Sequence, residues 1–317
     1  MTYQKFIETL LQELKQSYGD EYIITMEGVL KNNGIVKDAL LIRKEGETII
    51  PNLYVDKYYE LYCQKANLSM ITKQIWEDYM FALNNKPKEF PLDLSYKNME
   101  KRIFFRIVHR ERNNAKLKNC PWVAYEDLAF TFHLLLSDKG MQVQSISITN
   151  NMLKKWEISL EELMEIALKN TPILFPIKLA SLSSYMECLM RDRSLLDEEN
   201  SIFSNHSVGL EEMEQVLAYD EALPLTIISN SSGVNGAGAN FYEEVLSRIS
   251  DFYEKDIYIL PSSIHECIVF PKEQEDTDYL IDMVRDVNRT KVQEDEVLSD
   301  AVYLYPREEG KIIKIAG

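Results

Sequence analysis

The run Ile259-Leu-Pro-Ser-Ser-Ile-His-Glu-Cys-Ile-Val-Phe270 sets two hydroxyls, an imidazole and a carboxylate into an otherwise apolar, strand-like frame. An unpaired buried donor or acceptor costs about 1–3 kcal/mol, so these side chains must either find hydrogen-bond partners in the fold or face a site. As a continuous strand, the run would put Ser263 and His265 on one face and Ser262, Ile264 and Glu266 on the other. A serine beside a histidine invites a nucleophile-base reading with Glu266 in support. Neighbours two apart on a strand stand parallel, however, whereas a triad needs the base to point at the hydroxyl. The Gly-x-Ser-x-Gly elbow of the α/β-hydrolases is also absent. The chemistry fits better if Pro261-Ser-Ser marks a turn between two short strands, with the serines bonding local backbone and His265 paired with Glu266.

The chain has 317 residues, 45% of them hydrophobic, enough to bury a sizeable core in two domains or in one with an appended module. Its 35 basic against 51 acidic side chains give a net charge of −16, which repels phosphate backbones over the surface as a whole. Charges interrupt Met1-Thr-Tyr-Gln-Lys-Phe-Ile-Glu where a signal peptide needs an apolar stretch, and no window approaches the roughly 18 consecutive apolar residues of a membrane span. A cytoplasmic protein is expected. Cys63, Cys120, Cys188 and Cys267 stand singly and read as buried reduced thiols.

Apolar spacing predicts a helix over 3–17, then a β-meander of Tyr22–Leu30, Ile35–Arg43 and Thr48–Val55, with Asn33-Gly34 in its first turn. Helices over 58–63 and 71–83 precede a proline-bearing linker near 84–91, so domains are expected at 1–86 and 92–317, with a possible further boundary in 191–210. Within the larger part, apolar runs over 123–136 and 141–149 flank a turn at 137–140, and the shift of apolar phase in the second suggests a bulge or a strand that starts late. Ser159 and Glu162 form a capping-box signature for a helix that Pro172 stops near Asn170. A helix at 177–190, a strand at 225–229, a helix at 242–253, a helix at 278–288 and a strand at 302–305 complete the pattern. The fold class expected is α+β with mixed or antiparallel sheets and flanking helices; a doubly wound α/β fold is the alternative.

Lys31-Asn-Asn-Gly34, Asn170-Thr-Pro172, Leu260-Pro-Ser-Ser-Ile-His-Glu266 and Val284-Arg-Asp-Val-Asn288 followed by Leu298-Ser-Asp300 together resemble an uncharacterised bacterial domain-of-unknown-function family of anaerobic Firmicutes. The likeness covers nearly the whole chain. It implies a bacterial cytoplasmic setting and carries over no activity and no catalytic residues. A shorter likeness, over 148–170, is to another uncharacterised family of the same bacteria.

Further candidates lie elsewhere. The loop from Ser229 to Asn240 sits between a predicted strand and a predicted helix, where backbone N–H groups could hold a small anion. Asn230, Gly233, Asn235, Gly236, Gly238 and Asn240 are its candidate ligand residues. It has no Gly-Lys-Ser/Thr, Phe241 replaces the third glycine of a dinucleotide fingerprint, and Asn240 would serve equally as an N-cap. The stretch 97–118 concentrates Arg102, Arg106 and Arg110 with several lysines around an apolar face, which reads as an amphipathic helix and secondarily as a nucleic-acid contact. His109, His133, His206 and His265 are far apart, and the acidic run 273–278 lacks the spacing of a calcium loop, so no metal site is expected. Trp76, Trp122 and Trp156 read as core or interface anchors. The leading reading is a non-enzymatic protein that binds a protein partner. The alternative is a small-ligand or phosphoester enzyme in which the 230–240 loop and His265 with Glu266 share one cleft. Recognition of nucleic acid through the three arginines comes last.

Overall fold

The apolar spacing at the start of the chain produces α1, Tyr3–Tyr18, in the computed structural model of the protein; Thr2 caps the helix by accepting from the Lys5 backbone N–H at 3.4 Å. The structure describes residues 1–46, 50–84, 93–139, 142–191, 207–219, 222–274 and 276–317. The chain divides into two compact units, Met1–Glu89 and Phe90–Gly317. Among the described residues the strands form three sheets and every pairing is antiparallel, which makes the protein α+β and leaves no room for the doubly wound alternative.

In the first unit β1, Ile23–Leu30, pairs with β2, Val36–Arg43, across a turn in which Asn33 and Gly34 take positive φ of 56° and 73°. The expected third strand shrinks to β3, Leu53–Tyr54, because α2, Val55–Cys63, begins there; residues 47–49 lie outside the described residues. With α3, Leu68–Asn84, these elements bury a core that includes Phe6, Leu10, Leu14, Leu40, Ile75 and Tyr79. Trp76 stacks on Tyr18 with ring centroids 3.9 Å apart. Cys63 is exposed rather than buried, since α2 turns its last residue outward. The expected linker lies almost entirely outside the described residues.

The second unit carries the short helices α4, Tyr96–Met99, and α5, Asn114–Leu117, but between them the expected basic helix is a strand, β4, Ile103–His109. Its β-branched and aromatic residues alternate, with Phe105 and Ile107 in the main core and Phe104 and Val108 in two smaller clusters on the opposite face. Burial on both faces removes the polar stripe that a surface helix needs. Strand β4 pairs with β6, Leu128–Lys139, which also carries β5, Trp122–Tyr125, and β7, Gln142–Ser147; the register on β7 shifts between Leu135 and Ser137.

After α6, Asn150–Trp156, comes α7, Leu160–Leu174, opened by the Ser159–Glu162 capping box. The helix does not stop at Asn170: Pro172 lies within its last turn, where few N–H groups remain to be lost. Asn170 and Thr171 instead cover the free edge of β4. The Asn170 amide donates to the carbonyls of Glu100 and Ile103 at 2.8 and 3.2 Å, and Thr171 Oγ1 accepts from the Phe105 N–H at 3.1 Å.

The expected helix at 177–190 divides into β8, Ile177–Ser181, and α8, Leu182–Arg191, because residues 177–181 pair with β9, Thr226–Asn230. They open a six-stranded sheet ordered β13-β12-β10-β11-β9-β8, with β10 at Ile257–Pro261, β11 at Cys267–Pro271, β12 at Val302–Tyr305 and β13 at Ile313–Ala316. Helices α9, Met213–Leu217, and α10, Val245–Tyr253, join the core on one face; α11, Thr277–Lys291, packs on the other. Asn288 of α11 donates to Ser299 O at 3.0 Å and to Asp300 Oδ1 at 2.8 Å, and Asp300 also pairs with Arg112.

Asp127, in the β5–β6 turn, accepts from Tyr303 at 2.7 Å and from Ser299 at 2.8 Å, with the Lys314 ammonium 3.6 Å away. Burial pushes this carboxyl up, but those hydrogen bonds and the lysine outweigh it and hold the group below the ordinary carboxylate range. With the native pKa below the unfolded value of about 3.9, the contribution is whole above that value and is lost as pH falls through the native one. Asp127→Asn should cost about 1.5–3 kcal/mol at neutral pH. Acid titration of melting temperature should fall less steeply in the variant than in the parent; equal slopes would refute the account.

Candidate functional site

Three segments far apart in sequence converge at one end of the six-stranded sheet. The first is the β10–β11 connection, a turn rather than a continued strand. The N–H groups of Ser262 and Ser263 both donate to Glu266 O at 3.2 Å, and Ser263 Oγ accepts from the His265 backbone N–H at 2.9 Å. Ser263 is thus buried and spent on the turn, so the hydroxyl that a nucleophile-base reading requires is bonded to the histidine's main chain.

The second segment is the 230–240 loop. Asn230 Oδ1 accepts from Ser232 N–H at 3.0 Å and from its hydroxyl at 2.8 Å, and Gly233 turns the chain with φ of 65°. Asn235, at φ 53°, aims its N–H at His265 Nδ1, 3.2 Å away. The N–H groups of Ser232, Gly233, Val234, Asn235 and Ala237 all have acceptors within the protein. Beyond it, Gly236–Phe241 forms a buried 3-10 turn. A Cβ at Gly236 would sit 2.5 Å from His265 O and 2.7 Å from Asn230 N, against the Ser229 hydroxyl as well; one at Gly238 would meet the Phe105 ring at 3.0 Å. Asn240 does not cap α10, which Glu244 precedes; its amide donates inward to Ala237 O at 2.9 Å.

The third segment follows α11 and carries a residue that the sequence reading missed. Glu296 O accepts the Ile264 N–H at 2.8 Å, and its carboxylate lies 3.4 Å from His265 Nε2. His265 is therefore paired with Glu296, thirty-one positions away, and not with the adjacent Glu266, whose Oε1 takes the Ser262 hydroxyl at 3.5 Å. Because Nδ1 accepts a backbone N–H, the neutral ring carries its proton on Nε2. Neither nitrogen then offers a free lone pair to take a proton from a substrate.

The segments bound a cavity of about 490 Å³ on the α8 and α11 face of the sheet. Ile227, Ile268, Tyr185 and Val287 line it together with His265, Glu266, Glu296 and Lys291. Of the loop candidates, Gly233 lines it, whereas Asn230, Asn235 and Gly238 border a separate cleft of about 10 Å³ that also contains Arg106. Gly236 and Asn240 stay packed in the interior.

The three arginines form no helical face. Arg102 donates to the carbonyls of Leu135 and Leu136 at 3.4 and 3.3 Å, and Arg110 lies in the turn after β4. Arg106 lies between Phe104 and Val108, where burial lowers its guanidinium to about 10. Among the described residues no His, Cys, Asp and Glu gather to hold a metal, and no helix is long and apolar enough to cross a membrane.

A model of a family of unknown function, DUF5688, matches residues 3–307. No curated protein and no solved structure matches the chain.

Gly236→Ala should cost about 1–3 kcal/mol through overpacking, whereas Asn235→Gly, which keeps both the left-handed backbone and the N–H, should stay within about 0.5 kcal/mol of the parent. Thermal denaturation of the pair decides the point: an undisturbed melting temperature in Gly236→Ala would mean that the loop and turn do not approach so closely.

Proposed function

The chain belongs to the DUF5688 family, and from that premise we propose that its larger unit binds a small molecule with an apolar body and a donor-rich, amine-type head. The observation that carries this reading is the make-up of the cavity: its lining includes Ile227 and Ile268 and two carboxylates, Glu266 and Glu296, against one ammonium, Lys291. A volume near 490 Å³ falls in the usual range for small-molecule sites, about 300–1,000 Å³. An ammonium or guanidinium head would take the carboxylates as acceptors, and its hydrocarbon part would cover the isoleucines.

The role is binding rather than acid-base catalysis. The ring of His265 is held by Asn235 on one side and faces Glu296 on the other, which suits a group that fixes a wall. Its service is to set the Glu296 carboxylate and the 262–266 turn in place for the ligand.

The test is a thermal-shift panel of arylalkyl amines and guanidines set against matched carboxylates, nucleotides and phosphorylated metabolites. A ligand at one hundred times its Kd stabilises by about 2.7 kcal/mol. Amines should raise the melting temperature, the gain should shrink in Glu296→Gln, and it should vanish in Ile268→Trp, whose indole takes up cavity space. Silence from every amine, or a shift that survives Ile268→Trp, would sink the reading; a response confined to phosphorylated compounds would replace the amine with an anion.

A further inference from the structure

On the core-facing side of the second unit, away from the residues of the His265 cavity, lies an open groove of about 950 Å³. It runs between the C-terminal half of α7 and the segment after the buried 236–241 turn. Leu168, Ile177, Leu210 and Phe241 supply apolar surface, and Leu168 is 38% exposed. Glu165, Glu211, Glu212 and Glu243 line the same groove, opposed among the described residues that line it by Lys169 alone. Glu212 accepts the Gly209 N–H at 3.4 Å, but Glu165, Glu211 and Glu243 have no hydrogen bond or ion pair among the described residues.

An apolar trough edged by uncompensated carboxylates is complementary to a chain segment that carries the opposite charge around a bulky apolar side chain. The overall charge of −16 draws a basic partner towards the molecule before contact.

We propose that this groove docks a basic peptide segment of a partner protein, with one aromatic or large aliphatic residue seated among Leu168, Leu210 and Phe241 and flanking lysines or arginines paired with Glu165, Glu211 and Glu243. The groove is independent of the small-molecule cavity: none of its lining residues belongs to the 262–266 turn, the 229–235 loop or the 293–296 segment.

The experiment is selection of a random dodecapeptide display library on the immobilised full-length chain, followed by fluorescence anisotropy of the enriched peptides. Peptides rich in lysine and arginine around a Leu, Phe or Trp should emerge. Their affinity should fall at least about tenfold in a Glu165→Gln, Glu211→Gln, Glu243→Gln triple variant and should weaken with added salt. All three positions are exposed, so the variant keeps its fold, which its unchanged melting curve verifies. A second variant, Leu168→Asp, should abolish binding by removing the apolar seat. Absence of enrichment, enrichment of neutral or acidic peptides, or basic peptides indifferent to both variants would each overturn the proposal. The last outcome would place the interaction on another acidic surface.

Discussion

The second unit depends on the burial of both faces of its six-stranded sheet. Every residue of β10 and β12 is buried, with Ile257 and Ile259 turned to the main core and Tyr258 and Leu260 to α11. A strand buried on both sides needs cover on both sides. The core side takes α7, α10 and the four-stranded sheet; the other side takes α11 over the β10 and β12 half and α8 beside β8. Between these two helices, among the described residues, Ile227 and Ile268 of the sheet line the cavity. The candidate site follows from how the sheet is covered.

The same constraint explains how polar groups are handled at the end of that sheet. The β10–β11 turn must leave a dry core without orphaning its main chain, and it does so by borrowing one acceptor and two donors from distant segments. Ile264 donates to Glu296 O and Ala237 donates to Ile264 O, at 2.8 and 3.2 Å, while Ser229 donates to His265 O at 2.8 Å. The imidazole closes the arrangement by joining Asn235 to Glu296. The histidine beside the serines thus takes part in the packing of this turn.

Much of this order is legible in the sequence wherever the deciding interaction is local. Ser159 and Glu162 bond each other's backbone three residues apart, Asn33-Gly34 takes positive φ within one turn, and Pro261-Ser-Ser turns the chain with its own hydroxyls. The reading fails where a long-range partner decides. Ile103–His109 carries enough arginine and lysine around it to mimic a helix, and only pairing with β6 and cover on both faces make it a strand. Residues 177–181 become a strand because β9 lies alongside. Glu296 could not be found by proximity, since Glu266 stood next to His265 and absorbed the pairing. Free N–H groups in the 230–240 loop could not be counted without knowing that the loop folds inward.

The motifs that carry the family likeness divide along the same line. Asn170 and Thr171 cover an edge of β4, Asn288 joins Ser299 and Asp300, and Asn33 with Gly34 makes a turn; each answers a demand of the backbone. The Leu260–Glu266 motif also presents polar side chains to the cavity, which Val287 of the Val284–Asn288 motif lines as well. A polar residue whose every donor and acceptor is satisfied within the fold has little binding capacity left over, whatever its chemical type. The residues that retain capacity include the groove carboxylates Glu165, Glu211 and Glu243, where partners from outside can still reduce an unfavourable concentration of like charge. In a chain this acidic the shortage is of cations, and the groove of the second unit presents it.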